Sequence, residues 1–385
     1  MLCLHVDLTD LMNVDCGSHC STLWIVGRFH RTTYTSRLRI YSSDSDDEGA
    51  HKRGLEHEAR AGTFLADNLR LLPFLHSVII DNTRWTHGEC KERAIPLPVI
   101  LSILATPQLR CFRSFGELYH PGDPIPERPK DLLLGNISAF EHHNSHLRRE
   151  PRKYPSEAIL LSILIPEMRF TLEHLTLPIE NAPLQQMYLN DWPHLRRLTL
   201  YGERRTVTKP FLPYISILAR MPALRSLHLL FANPVELPAK EIWPRGHHET
   251  FPWPALEELT ITHPHPDDQL FTHLPVRMRS IALRCWPHHW AFREMRNSRV
   301  SAYHRLGSPW HTPLLSASEV DRIIRSCRNI HELAYLQLEY EIDDNEDTLL
   351  RHVAQSFPKL ETLEIYRYSP SDEKHVQPLV RHSEA

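Results

Sequence analysis

Glycine is scarce in this sequence, at only 12 of 385 residues. Phosphate-binding loops need glycine because their backbone amides must approach the ligand closely. Neither Gly-x-Gly-x-x-Gly nor a Walker-type loop occurs here. The sequence also lacks the Gly-x-Ser-x-Gly elbow of hydrolases and the His-Glu-x-x-His motif of zinc enzymes. These absences predict a protein that is not an enzyme, with no catalytic residues and no cofactor.

Neither sign of charge dominates, because the sequence has 44 basic and 47 acidic residues. Nucleic-acid-binding proteins usually concentrate basic residues on one face, so we expect no nucleic acid among the partners. The seven cysteines are odd in number and scattered, unlike the paired framework of a small secreted domain. No window approaches the ~18 apolar residues of a membrane span, and the N-terminus lacks the features of a signal peptide. We expect a cytoplasmic or nuclear protein that does not act at a membrane.

Histidine is abundant, with 27 residues, and a metal site is one interpretation. Two clusters stand out: His142, His143 and His146, and then His263, His265, Asp267 and Asp268. A structural zinc site needs about four ligands in a closed set, and no Cys-x-x-Cys pair supplies half of one. We predict no metal site and interpret these histidines as surface residues. An enzyme with a histidine-based metal site is the remaining alternative.

The sequence motif Pro-x-Leu-x-x-Leu-x-Leu recurs along the chain. Its clearest copies cover residues 193–200, 222–229, 254–261 and 358–365. A looser copy is assigned to Ile330, Leu333 and Tyr335. The two-residue alternation at the end of each copy is typical of a short strand with one buried face, so Leu198 and Leu227 should be buried.

Repeated units of this kind cannot bury their apolar faces alone and must stack on their neighbours. Leu198 and Leu227 are 29 residues apart, which fits the roughly 20 to 29 residues of a leucine-rich repeat. The sequence therefore predicts an α/β fold, a leucine-rich-repeat-like solenoid over residues 46–385. It should have a parallel concave sheet and helices on the convex side.

Helix signals lie just before the predicted strands. Ser316 and Glu319 form a Ser-x-x-Glu capping box ahead of the helically spaced Val320. Tyr214 and Ile215 begin another helical stretch.

Polar and aromatic residues alternate with the buried positions of the predicted strands. Packing does not require these residue types, so they are free to recognise a protein partner; alternatively, they are ordinary solvated strand positions. The candidate binding residues of the concave face are Arg197, Thr199, Tyr201, Ser226, His228, Glu258, Thr260, Thr362, Glu364 and Tyr366.

The repeat rhythm is interrupted by an insertion at about 284–315. Its aromatic residues are Trp286, Trp290, Tyr303 and Trp310. Insertions in repeat proteins often emerge as loops on one face, and aromatic residues beside arginine are typical of binding hot spots. The segment is either a binding loop or a degenerate repeat whose tryptophans fill the core.

Taken together, the proline-led strands resemble those of fungal F-box proteins with leucine-rich-repeat-like domains, over roughly residues 65–370. This resemblance implies a substrate-recognition subunit of an SCF-type ubiquitin ligase. Its partners would be a Skp-type adaptor with its cullin complex, and an unknown protein substrate held by the concave face. The alternative is a stand-alone leucine-rich-repeat scaffold unrelated to ubiquitination.

The first 45 residues loosely resemble the second half of an F-box. Hydrophobic positions around Val26 and Phe29 echo its Val-x-Arg-x-Phe region. The resemblance implies a truncated or degenerate helical F-box segment over residues 1–45. By the same resemblance, Leu11, Ile25 and Phe29 would bind the adaptor.

Overall fold

The protein is described by a computed structural model. It describes residues 3–6, 22–26, 63, 66–81, 97–115, 118, 134–143, 155–203, 213–232, 241–247, 250–285, 314–368 and 381–384. The chain forms two compact units. The first comprises Met1–Leu177 with Asn181–Pro183, and the second Pro178–Glu180 with Leu184–Ala385. A domain boundary at residue 45 stays a prediction.

In the first unit, each strand pairs in parallel with the next strand along the chain. The strands are β1 Cys3–Val6, β2 Thr22–Val26, β3 Ser77–Asp81, β4 Cys111–Phe115, β5 Ala139–His143 and β6 His174–Pro178, which ends at the unit boundary. Residues 66–70 are helical, and two further helices are α1 Leu97–Leu104 and α2 Pro155–Glu167.

The second unit repeats this arrangement. Its strands are β7 Arg197–Glu203, β8 Ser226–Ala232, β9 Glu258–Thr262, β10 Ser280–Arg284, β11 Tyr335–Glu341, β12 Thr362–Tyr368 and β13 Arg381–Glu384. Strands β7 to β12 pair in parallel in chain order, and β13 adds to β12 antiparallel. The helices are α3 Leu184–Leu189, α4 Tyr214–Ile217, α5 Ala317–Ser326 and α6 Glu346–Ser356, with a short 3₁₀ turn at Gln269–Thr272.

Two adjacent parallel strands must be joined by a crossover connection, which usually contains a helix. Because the strands pair in chain order, each crossover leads to the next strand on the same side of the growing sheet. Both units are therefore α/β, with parallel sheets and helices, as the sequence predicts.

The repeated leucines form the core. Leu198 pairs directly with Leu227, and Leu200 with Leu229. All four side chains have no exposed surface. The predicted burial of Leu198 and Leu227 is confirmed, because side chains two residues apart on a strand share one face.

The predicted helix signals are also confirmed. The Ser316 hydroxyl accepts from the Glu319 amide, and the Glu319 carboxylate accepts from the Ser316 amide, which completes the capping box of α5. In this way, two of the backbone amides that lack an acceptor at the start of a helix gain a hydrogen-bond partner. Helix α4 begins at Tyr214, as expected.

The prediction of a helical N-terminal segment is wrong for two stretches. Cys3–Val6 and Thr22–Val26 are parallel strands, and the second pairs with β3. The physical reason is composition, because the run Leu-Trp-Ile-Val at residues 23–26 consists mostly of β-branched and aromatic residues that favour strands. Ile25 therefore lies in a strand, whereas Leu11 and Phe29 lie outside the described residues.

Residues 286–313 of the insertion, with its aromatic residues, also lie outside the described residues. The strands on either side, β10 and β11, are nonetheless direct neighbours, with Ile281 opposite Leu336.

Candidate functional site

The strands of the second unit present a second face, whose residues alternate with the buried leucines. We call it the polar face, defined by two rows of residues that lie in register from β7 to β12. The first row is Arg197, Ser226, Glu258, Ser280, Tyr335 and Thr362. The second row is Thr199, His228, Thr260, Ala282, Gln337 and Glu364. One step further along the strands, Glu339 lies opposite Tyr366.

The candidate residues lie on this face as the alternation predicts, but they differ in exposure. Arg197 and Thr362 are exposed, and Thr199, His228, Glu258, Glu364 and Tyr366 are partly buried. Tyr201, Ser226 and Thr260 are buried, so these three are not open to direct contact with a partner. Neighbouring strands are only ~4.8 Å apart, and small side chains such as Ser226 and Thr260 are therefore covered by larger neighbours.

His228 of the polar face links two neighbouring strands of the second unit, β8 and β9, through its side chain. Its Nε2 lies 2.7 Å from the Ser226 hydroxyl, and its Nδ1 lies 2.8 Å from the Thr260 hydroxyl on β9. Burial lowers the pKa of His228 to about 4, because desolvation disfavours the charged imidazolium. His228 is therefore neutral at physiological pH and ties the neighbouring strand to its own.

The part of the polar face on β11 was not predicted, because the repeat copy in this region was assigned to the wrong residues. Leu336 and Leu338 occupy the core positions of β11, each with no exposed surface, whereas the sequence assigned those positions to Leu333 and Tyr335. The assigned register is wrong by three residues, because Leu-x-x-Leu spacing fits both alternatives. The correct register places Tyr335, Gln337 and Glu339 on the polar face.

Arg284, Gln337 and Tyr335 form a hydrogen-bonded group there. Arg284 Nε donates to Gln337 Oε1 at 2.8 Å, and the Tyr335 hydroxyl donates to the same oxygen at 3.3 Å. Burial and the nearby Glu364 carboxylate raise the pKa of Tyr335, so the phenol stays protonated. From the sequence, these three residues could have been placed on the polar face only by following the alternation of buried and polar positions along β10 and β11.

Glu339 and Cys285 occupy a buried corner beside this group. One carboxylate oxygen of Glu339 accepts from the Cys285 amide at 2.7 Å, and the other accepts from the Tyr368 hydroxyl. Burial raises the pKa of Glu339 to about 7. It also raises the pKa of the Cys285 thiol, whose sulfur lies 3.7 Å from His263 Nε2. A thiol with a raised pKa is a poor nucleophile, so this Cys–His contact is structural.

The described residues of the second histidine cluster have structural contacts. Asp268 accepts hydrogen bonds from the amides of Ile242, Trp243 and Leu270, and burial raises its pKa to about 6. His265 lies 3.5 Å from a carboxylate oxygen of Glu241. Within the ranges that the structure describes, no group of three or more His, Cys, Asp or Glu residues is placed to hold a metal ion.

The first unit contains a serine, a histidine and a carboxylate in one chain of contacts. The Ser114 hydroxyl lies 2.9 Å from His142 Nδ1, and His142 Nε2 contacts the Glu157 carboxylate. All three side chains are completely buried, so the interpretation of His142 as a surface residue is wrong. Ser114 and His142 lie on the same faces of β4 and β5 as the core residues Phe112 and Phe140. No substrate can reach this group in the described conformation, so we interpret it as a bond between sheet and helix. His146 lies outside the described residues.

No protein-family model and no curated protein matches the sequence. Among solved structures, the chain is similar to one in the crystal structure of the Rad7 and Elc1 complex in yeast. The two are 13% identical, the match covers 78% of this chain and 73% of that chain, and the TM-score is 0.34. Among the described helices, none has the length and apolar character needed to cross a bilayer.

Proposed function

We propose that this protein is a non-enzymatic protein-interaction module, built as a leucine-rich-repeat-like solenoid, which holds a protein partner against its polar face. The observation that supports this proposal is the pair of in-register rows from β7 to β12. Their polar and aromatic residues lie opposite the leucine core and extend over six strands. An extended face of this kind suits a protein chain better than a small molecule, which prefers an enclosed pocket.

A finer proposal is that the module serves as a substrate-recognition subunit of an SCF-type ubiquitin ligase. It is supported by the resemblance of the proline-led strands to those of fungal F-box proteins. The adaptor would bind near Leu11, Ile25 and Phe29. Because Ile25 lies in β2, the adaptor would contact the residues that flank this strand rather than a helix formed by it.

A pulldown with a purified Skp-type adaptor tests the ligase proposal. Wild-type protein should retain the adaptor, and the double variant Leu11→Asp with Phe29→Asp should lose it while its thermal unfolding stays unchanged. Ile25→Asp alone serves as a comparison, because a charge placed in a paired strand should lower stability first. Failure of the wild type to bind, or undiminished binding by the folded double variant, would rule out the ligase role.

The second candidate is a repeat scaffold unrelated to ubiquitination. The observation that favours it is the strand at Thr22–Val26, where the F-box resemblance implied a helix. A scaffold would bind partners through Arg197, His228 and Glu258 on the polar face and would ignore the adaptor. The same pulldown separates the two candidates.

A further inference from the structure

The polar face contains a buried side-chain amide whose nitrogen has no hydrogen-bond acceptor among the described residues. Gln337, in the middle of β11, has no exposed surface. Its Oε1 accepts two hydrogen bonds, from Arg284 Nε and from the Tyr335 hydroxyl. Arg284 Nε can only donate, so its partner atom is the oxygen and the other terminal atom of Gln337 is the amide nitrogen. Within the described part of the chain, this nitrogen, Nε2, has no hydrogen-bond acceptor.

A buried donor without an acceptor destabilises the folded state, and few such groups persist in native proteins without a reason. The two register neighbours of Gln337 explain why its amide lacks an acceptor. Ala282 offers only a methyl group on one side, and Glu364 lies on the other. The Glu364 carboxylate lies close enough to the Tyr335 hydroxyl to raise its pKa, and it accepts no hydrogen bond from the Gln337 amide.

Arg284 adds a positive charge at the same place. Its Nε donates a hydrogen bond to Gln337, but its guanidinium forms no ion pair with any carboxylate in the described ranges. Both oxygens of the neighbouring Glu339 are already engaged by Cys285 and Tyr368. Arg284 is only partly buried, so its two terminal nitrogens are available for a ligand.

We propose that Arg284 and Gln337 bind a carboxylate, supplied by an Asp or Glu side chain of a protein segment that lies across the polar face. The planar guanidinium of arginine matches a carboxylate with two parallel hydrogen bonds, and the Gln337 amide donates a third to the same segment. Because Gln337 has no exposed surface, its amide can donate to the segment only in a conformation in which the neighbouring side chains, Arg284 among them, have moved off it. This inference rests on the proposed function, because it names the chemistry of the partner that the polar face holds.

The other charges on the face restrict where that carboxylate can bind. Glu258 and Glu364 are both partly exposed, and each repels a second negative charge. A segment with one acidic residue therefore fits in a single register, with its carboxylate at Arg284. Repulsion at the flanking positions gives specificity in addition to the attraction at the site.

An array of random octapeptides, probed with the full-length chain, tests the inference. Each peptide is acetylated and is made with both an amidated and a free C-terminus. Bound peptides should share an Asp or Glu at one internal position, with either terminus. Changing that residue to Asn or Gln should weaken binding by about tenfold or more, the loss expected for a charge-assisted hydrogen bond.

Protein variants complete the test. Arg284→Gln should give the same loss, and Arg284→Lys should give a smaller one because it keeps the charge without the planar fork. Arg351→Gln, at an exposed position of α6, is the control and should bind like the wild type. The peptide series uses unaltered protein, so it remains decisive even if an Arg284 variant fails to fold.

The outcomes separate this inference from the proposed function. Peptides selected for Lys or Arg, or without any acidic preference, would overturn the carboxylate site and leave the protein-binding role standing. Selection of free C-termini only would overturn the side-chain source of the carboxylate. A folded chain that captures no peptide would contradict both proposals.

Discussion

Leu198 of β7 and Leu227 of β8 lie directly opposite each other in adjacent parallel strands, and both side chains are completely buried. Burial of one leucine is worth roughly 1.5–3 kcal/mol, and an unpaired charge in its place adds a large desolvation cost. We therefore expect Leu198→Asp to remove most of the ~5–15 kcal/mol stability typical of a domain.

The matched control is Thr199→Asp, one residue further along β7. Thr199 lies on the polar face and is only partly buried, so this change should cost under about 1 kcal/mol. Urea unfolding of both variants gives the comparison. Equal losses of stability would show that the register of β7 is wrong.

The capping box of α5 predicts a smaller effect. Ser316→Ala removes the side-chain acceptor for the Glu319 amide and should lower the free energy of unfolding by about 1 kcal/mol. Ser326→Ala, at the other end of the helix, removes only a hydroxyl that donates to the Arg322 carbonyl. It should change stability by less than about 0.5 kcal/mol. A Ser326 effect as large as the Ser316 effect would argue against the cap.

Glu339 should make stability depend on pH in an unusual direction. Its pKa rises from 4.5 to about 7 on folding, chiefly through burial, so the folded state binds the proton more tightly. This contribution to stability is full below pH ~4.5 and is lost as the pH rises through about 7. Relative to Glu339→Gln, the wild type should lose about 3 kcal/mol between pH 4.5 and 7.5. Denaturant unfolding across this range measures the difference, and a constant offset between the two proteins would contradict it.

His228 should show the opposite sign. Its pKa falls from 6.5 to about 4 on folding because of burial, so the unfolded chain binds the proton more tightly. The stability that neutral His228 contributes is full above pH ~6.5 and is lost as the pH falls towards 4. His228→Gln keeps a polar side chain but removes this titration. The variant should therefore lose less stability than the wild type on acidification from pH 7 to pH 4.5, as followed by thermal unfolding. An identical acid response would place a charged His228 in the folded protein.

The sequence predicts the leucine core well, because alternation over successive copies leaves one buried face for Leu198, Leu227 and Leu259. It fails at β11, where Leu333 and Leu336 both satisfy the repeat spacing and only pairing with β10 decides between them. This ambiguity hid Gln337 from the candidate site.

The burial of Thr260 and Ser226 was also beyond sequence reasoning. Their exposure depends on the size of the neighbours across the sheet, which a one-dimensional pattern does not contain. The strand at Thr22–Val26 was missed for a related reason, since a short apolar run fits a helix or a strand until its partner is known.

The central claim is that a protein partner lies against the polar face, and a matched charge exchange tests it most directly. Arg197→Glu with Glu364→Arg reverses two charges on that face, whereas Asp347→Arg with Arg351→Glu makes the same exchange at exposed positions of α6. Binding of a partner isolated from the native cell is then measured with each purified, folded variant. The account predicts that the polar-face exchange weakens binding at least about tenfold, which is 1.4 kcal/mol, and that the α6 exchange has no effect. Loss of binding in the α6 variant alone would contradict it.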